Sequence, residues 1–233
     1  MGFRSLFSIL AGFLISSGLL LGAGTTWEAV VGSWYSGHVI PIPIPNDTPE
    51  TAVSCGNDPA LLAITPDGST AVVVDVYYGQ VIGLDLTQSP IQSIFTVPID
   101  GSPFWNGNIA ITPDGSKALV PNGYSSMINI LDLTQMPAVP TYTVSDGTSP
   151  EGVAVTPDGS KALVSNSIDN TVSVLDLTQT PVVCLYTVPV GTAPAGMAIT
   201  PDGSKALIAN KDATVSVLDL TTLPTASSYT VSV

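Results

Sequence analysis

Four copies of one pattern govern what this chain can fold into: ITPDGSTAVVVD from Ile64, ITPDGSKALVPN from Ile111, VTPDGSKALVSN from Val155 and ITPDGSKALIAN from Ile199. Their Thr-Pro-Asp-Gly tetrads begin at Thr65, Thr112, Thr156 and Thr200, separated by 47, 44 and 44 residues. A second anchor, Leu-Asp-Leu-Thr, recurs at Leu84, Leu131, Leu175 and Leu218 and keeps nearly constant phase with the first. A period in the forties makes each copy one supersecondary unit that leans on its neighbours.

Within the third copy, residues 152–156 (GVAVT), 161–165 (KALVS), 171–177 (TVSVLDL) and 182–190 (VVCLYTVPV) are short, rich in β-branched residues and bounded by turn residues. That pattern predicts four strands and leaves no run long enough for a good helix. Four strands per module predict a four-stranded antiparallel meander, the blade of a β-propeller. A single blade cannot bury both faces, so the blades must stack, which is why the strands read as almost continuously apolar.

The recurring polar residues have a geometric reading. In Thr-Pro-Asp-Gly, proline presets φ at the first corner, aspartate suits the second, and glycine accepts the left-handed conformation that closes a hairpin. Asp67 and Gly68, Asp114 and Gly115, Asp158 and Gly159, and Asp202 and Gly203 are therefore expected to shape turns. Lys117, Lys161 and Lys205 open second strands as solvated charges, and Asp85, Asp132, Asp176 and Asp219 are placed to cap the turn into the fourth strand.

The string P-x-G-[VM]-A-[VI]-T-P-D-G-S-K-A-L-[VI]-x-N followed by T-V-S-V-L-D-L resembles the YVTN family of β-propeller repeats. The tetrad that gives that family its name stands here as Leu119-Val120-Pro121-Asn122, Leu163-Val164-Ser165-Asn166 and Leu207-Ile208-Ala209-Asn210, with residues 72–75 more divergent and leucine in place of tyrosine throughout. The resemblance covers residues 51–233 and implies an all-β propeller domain of a bacterial or archaeal surface or periplasmic protein. Four complete blades are expected, at about residues 57–100, 101–146, 147–190 and 191–233, in a partial or open propeller. Residues 51–56 (TAVSCG) align with the end of a fourth strand whose first three strands are not apparent upstream. Truncation of a longer propeller is the favoured reading of that surplus, pairing of two half-rings the second, and a closed four-blade ring the third. Blade faces left open at the ends would be prone to self-association.

Ahead of the repeats, residues 1–24 combine one positive charge at Arg4, an apolar stretch and Gly22-Ala23-Gly24, the order of an export signal. A signal helix is expected there, cleaved, or retained as a membrane anchor in the lesser alternative. Residues 25–50 form a proline-rich entry segment, with VIPIPIPNDTP read as a linker or edge strand. Periplasmic, cell-surface or extracellular residence follows, with membrane contact only through an uncleaved leader.

Without Arg4 the chain has four lysines against eighteen acidic residues, so nucleic acid is excluded as a partner for want of clustered cations. Charged residues are only 10% of the chain and apolar ones 45%, a balance that builds a core and a surface of hydroxyls and amides. Cys55 and Cys184 lie two modules apart, too far in this register for a disulfide.

In such blades, the loops joining strands one to two and three to four share one rim, and those joining two to three and blade to blade share the other. The first rim is uniform and the second varies, so recognition is expected on the second. Tyr77, Tyr78, Trp105 and Tyr124, with Asn106 and Glu151, are the candidate binding residues for a protein, small-molecule or glycan ligand. No catalytic or metal-binding residue is assigned, and no cofactor: His38 is the single histidine and lies outside the repeats, which leaves no Ser-His-Asp or Cys-His arrangement within them. The principal expectation is an exported, non-enzymatic binding or scaffold module. The enzyme alternative is a lactonase-like hydrolase with calcium or another divalent cation in the central channel, drawing on Asp75, Asn106, Asn122, Glu151 and Asn166 as oxygens. A structural surface-layer component is the third class.

Overall fold

The computed structural model describes residues 17–20, 27–33, 37–44, 52–99, 101, 103, 107–135, 138–145, 147–222 and 228–232. Five four-stranded sheets follow one another along the chain, each an antiparallel meander. The first holds β1 (Ser17–Leu20), β2 (Trp27–Ser33), β3 (His38–Ile44) and β4 (Val53–Ser54), and the second β5 (Pro59–Ile64), β6 (Thr70–Asp75), β7 (Gln80–Asp85) and β8 (Gln92–Pro98). The third is built from β9 (Ala110–Ile111), β10 (Lys117–Asn122), β11 (Met127–Asp132) and β12 (Val139–Ser145). The fourth comprises β13 (Pro150–Val155), β14 (Lys161–Asn166), β15 (Thr171–Asp176) and β16 (Val183–Pro189), and the fifth β17 (Pro194–Ile199), β18 (Lys205–Asn210), β19 (Thr214–Asp219) and β20 (Ser228–Ser232).

The first sheet corrects the reading of residues 51–56 as a strand whose three predecessors are missing: β1, β2 and β3 lie upstream and complete it. It also places a strand, Ser17–Leu20, inside the segment read as a signal helix; the rest of residues 1–24 lies outside the described residues, apart from these four. The proline-rich segment becomes β3. It pairs with β2 along its whole length but with β4 only through His38 and Val39. Pro41 and Pro43 therefore sit where β3 is an edge, and their missing N–H groups cost no ladder bond on that side. Among the described residues no helix is long and apolar enough to cross a membrane.

The core is not inside any sheet but between sheets. Val72, Val74 and Val81 of the second sheet pack with Ala118, Val120 and Leu131 of the third. Leu119, Ile128 and Ile130 of the third meet Ala162, Val164 and Leu175 of the fourth. Leu163, Val172 and Val174 then meet Ala206, Ile208 and Leu218, and Cys55 joins Ala71, Val73 and Leu84 where the first two sheets adjoin. Alternate residues of one strand thus serve two different interfaces, as the two-residue period of a strand requires. Cys55 and Cys184 are free thiols, Cys55 buried.

Leu163 is fully buried between the fourth and fifth sheets, whereas Ile168 is 66% exposed five residues later. Leu163→Ala should destabilise the fold by about 2–5 kcal/mol, and Ile168→Ala by no more than about 0.5 kcal/mol, both read from urea unfolding.

Candidate functional site

The uniform rim is built from turns that occupy their own carboxylates. Asp158 Oδ1 accepts the Thr156 hydroxyl at 2.5 Å and the Ser160 amide at 3.0 Å, and Asp67, Asp114 and Asp202 repeat the arrangement. Successive turns also stack: positions above Gly115, Gly159 and Gly203 face Pro66, Pro113 and Pro157 of the preceding turn. The Thr hydroxyl, then the Ser amide, hold the carboxyls of Asp114, Asp158 and Asp202 down at about 2, and that of Asp67 below its ordinary value. Asp85, Asp132, Asp176 and Asp219 accept the amide and hydroxyl of the threonine two residues on. These aspartates are parts of turns.

The opposite rim combines fixed backbone with changing side chains. In the second to fifth sheets the loop between the second and third strands ends on a left-handed residue, Gly79, Ser126, Asn170 and Ala213, with φ from 55° to 61°. Three of the four are not glycine, so the loop path is held against an intrinsic preference. Hydrogen bonds to the neighbouring blade-to-blade loop hold it. Ser167 N donates to Ser149 O at 3.0 Å, and Lys211 N to Thr192 O at 3.0 Å. Thr148 N donates to Asp169 Oδ2 at 2.6 Å, and Thr192 N to Asp212 Oδ2 at 3.0 Å.

The residue that ends each second strand anchors this rim. Asp75, fully buried, accepts the amides of Asn57, Asp58, Tyr77 and Tyr78 at 3.0 to 3.3 Å and the Gln80 side chain at 3.1 Å. Asn166 and Asn210 stand at the same position and donate to Thr171 and Ser173, and to Thr214 and Ser216. The glycine of each preceding loop lies so close that a Cβ on Gly56, Gly147 or Gly191 would overlap this side chain. Asn122 faces Gly101 in the same way. Glu151, 4% exposed on inner strand β13, receives the Lys211 ammonium from the next sheet at 3.0 Å. Burial, then the charge of Asp75, raises the Asp58 carboxyl above its ordinary value.

Large side chains stand exposed on this rim. Two residues past the anchor, Tyr77, Tyr124 and Ile168 are 65%, 70% and 66% exposed on three consecutive sheets, and Tyr78 beside Tyr77 is 63% exposed. The Tyr77 and Tyr78 rings meet edge to face with centroids 5.0 Å apart. On the fifth sheet the equivalent place is held by Asp212. The structure thus sets Tyr77 and Tyr124 at equivalent loop places, with Tyr78 beside Tyr77, and pairs Glu151 with Lys211; Trp105 and Asn106 lie outside the described residues. Ile168, Lys211 and Asp58 were not singled out from sequence. Counting two places past each anchor would have found Ile168, whereas the Lys211 and Glu151 pair, 60 residues apart, has no local signal. Among the described residues no three His, Cys, Asp or Glu side chains converge as metal ligands would.

No family model matches the chain, and no curated protein does. Its fold is similar to a protein of unknown function from Desulfotomaculum acetoxidans, at 23% identity and a TM-score of 0.73 over 88% of this chain and 65% of that one. It is similar also to a candidate 6-phosphogluconolactonase from Bacteroides uniformis, at 15% identity and 0.70 over 87% and 66%. The Cps50 (Swd1) β-propeller domain of Myceliophteria thermophila matches at 12% identity and 0.70 over 92% and 73%. The chain spans about two thirds of the length of the first two, and the fold it shares with these proteins is that of a β-propeller.

Two outcomes follow. Asp114, Asp158 and Asp202 titrate below their unfolded value of 3.8, so the unfolded chain binds more protons between 3.8 and about 2. Their stabilisation is complete above that window and is lost as pH falls through it. Asp58 has the opposite sign, its contribution fading as pH rises through its raised value. Urea midpoints should fall steeply below pH 3.8, and less steeply in Asp158→Asn. Lys211→Met removes the countercharge of buried Glu151 and should cost about 1–3 kcal/mol, part of which returns in the double variant with Glu151→Gln.

Proposed function

We propose that this protein is an exported, non-enzymatic propeller module that binds a protein or glycan partner through the exposed row formed by Tyr77, Tyr78, Tyr124 and Ile168. The observation that carries the reading is the repetition of one exposed apolar position on three consecutive sheets, above loops whose backbone is pinned. Large side chains gain nothing from such exposure in a free molecule, and tyrosine combines a wide apolar face with a polar tip, as recognition surfaces do. Pinned loops lose little entropy on binding. Export rests on the sequence of residues 1–24; cleavage after Gly24 would leave β2, β3 and β4 and remove β1. Residence at the cell surface or in the periplasm also fits the YVTN-like repeat.

A lactonase-like hydrolase is the second reading. Its support is the fold likeness to candidate 6-phosphogluconolactonases from Bacteroides uniformis and Bacteroides fragilis. Against it, two of the oxygens it would enlist are already engaged, Asp75 by five donors and Glu151 by Lys211.

The combined variant Tyr77→Ser, Tyr124→Ser, Ile168→Ser should keep the wild-type melting temperature while losing at least tenfold in affinity for ligands selected by the wild type from glycan and peptide arrays. Ligands bound equally by both would refute the rim assignment. Turnover of 6-phosphogluconolactone that depends on added calcium would put the second reading first.

A further inference from the structure

The second to fifth sheets share one equivalent place on the variable rim, two residues past each anchor, and its occupants change in order. Tyr77 holds it on the second sheet, Tyr124 on the third, Ile168 on the fourth and Asp212 on the fifth. The first three are 65%, 70% and 66% exposed, and Asp212 is exposed as well. Because the sheets pack in that sequence, the row passes from aromatic to aliphatic to anionic along one rim.

Its anionic end is fixed in place. The Asp212 carboxylate accepts the Thr214 hydroxyl at 2.6 Å and the Thr192 amide at 3.0 Å. These donors, the hydroxyl first, hold the carboxyl below its ordinary value. Lys211, its neighbour in sequence, gives its ammonium to Glu151 instead, at 3.0 Å. Asp169, next to Ile168, is a second exposed carboxylate at this end of the row and accepts the Thr148 amide.

A sugar and a protein can both lie on a tyrosine, but they need different surroundings. A sugar ring brings a hydroxyl on most of its carbons, and each needs a new partner once water is removed. Polar side chains that border the row already serve the loops: Ser126 Oγ accepts Ser149 N at 3.4 Å and Asn170 Oδ1 accepts Ala193 N at 2.8 Å, as Asp169 and Asp212 accept their amides. Ile168 adds a branched aliphatic surface, which suits apolar side chains and gives a hydroxyl nothing to bond.

We propose, resting on the rim reading above, that the partner is a protein, and that the segment it lays on this rim sets apolar side chains on Tyr77, Tyr124 and Ile168 and a lysine or arginine on Asp212. Tyr78, edge to face with Tyr77, widens the aromatic end. The net charge of −13 draws a basic segment toward the rim, and the large exposed side chains supply the contact once it docks.

A random peptide library displayed on phage, selected on the full chain and counter-selected on the Tyr77→Ser, Tyr124→Ser, Ile168→Ser variant, tests this beside a glycan array. Selected peptides should carry apolar residues with a lysine or arginine to one side. Their affinity should fall about twofold to fivefold in Asp212→Asn and stay unchanged in Asp85→Asn, which removes the same charge from the opposite rim. Replacing the basic residue of the peptide by glutamine should cost the same on the wild type and nothing further on Asp212→Asn; if that variant does not fold, the peptide substitution on the wild type decides. Selected peptides without a basic residue, or equal losses in Asp85→Asn and Asp212→Asn, overturn the proposal. Glycans that bind and depend on the row, with no such peptides, overturn it while leaving the rim reading in place. Peptides and glycans alike indifferent to the triple variant overturn the rim reading and this proposal with it.

Discussion

Face-to-face burial of one sheet on the next is the interaction on which everything else in this molecule depends. A four-stranded meander has two broad faces, and here both are apolar through most of the chain, so no sheet can be stable alone. Leu163 and Ala162 are neighbours in sequence and lie in different cores, one toward the fifth sheet and one toward the third. The strands read as continuously apolar because each is shared by two interfaces. A polar side chain also bridges two of the sheets: Ser165 accepts from Gly152 N at 2.8 Å and donates to Ala195 O at 2.7 Å, tying adjacent inner strands together.

With the sheets fixed in this way, the two rims are free to differ. One is occupied by turns whose aspartates are fully engaged by their own threonine and serine neighbours, which explains why four copies hardly vary. The other combines the anchor residues Asp75, Asn122, Asn166 and Asn210, glycines packed against them, and loops of common backbone with different tips. A scaffold that repeats its backbone can change its exposed side chains without loss of stability, and the tyrosine and isoleucine row lies on the rim where they change. The ion pair of Glu151 with Lys211 belongs to the scaffold, despite its position near the inner strands.

Much of this was legible in the sequence because it is local and repeated. The Thr-Pro-Asp-Gly turn, the Leu-Asp-Leu-Thr cap and the alternation of the strands each depend on residues within a few positions of one another. The first sheet was not legible, since β1 to β3 carry none of the repeat motifs and the prolines of β3 disguise a strand paired on one side there. Asp75 reads as a divergent member of the asparagine series; its five donors come from both a neighbouring loop and its own, and only folding brings them together. Sequence also placed Tyr77, Tyr78 and Tyr124 on the variable rim, and counting two places past each anchor adds Ile168 to them.

A pair of double-mutant cycles tests the central claim most directly, because it measures which residues share an interface. Leu163 and Ile208 belong to the core between the fourth and fifth sheets, whereas Leu119 belongs to the preceding one. Truncation of Leu163 and Ile208 to alanine should be non-additive by about 0.5–3 kcal/mol, and truncation of Leu119 and Ile208 additive within about 0.5 kcal/mol. Additivity in the first cycle with coupling in the second would contradict a core built between consecutive sheets.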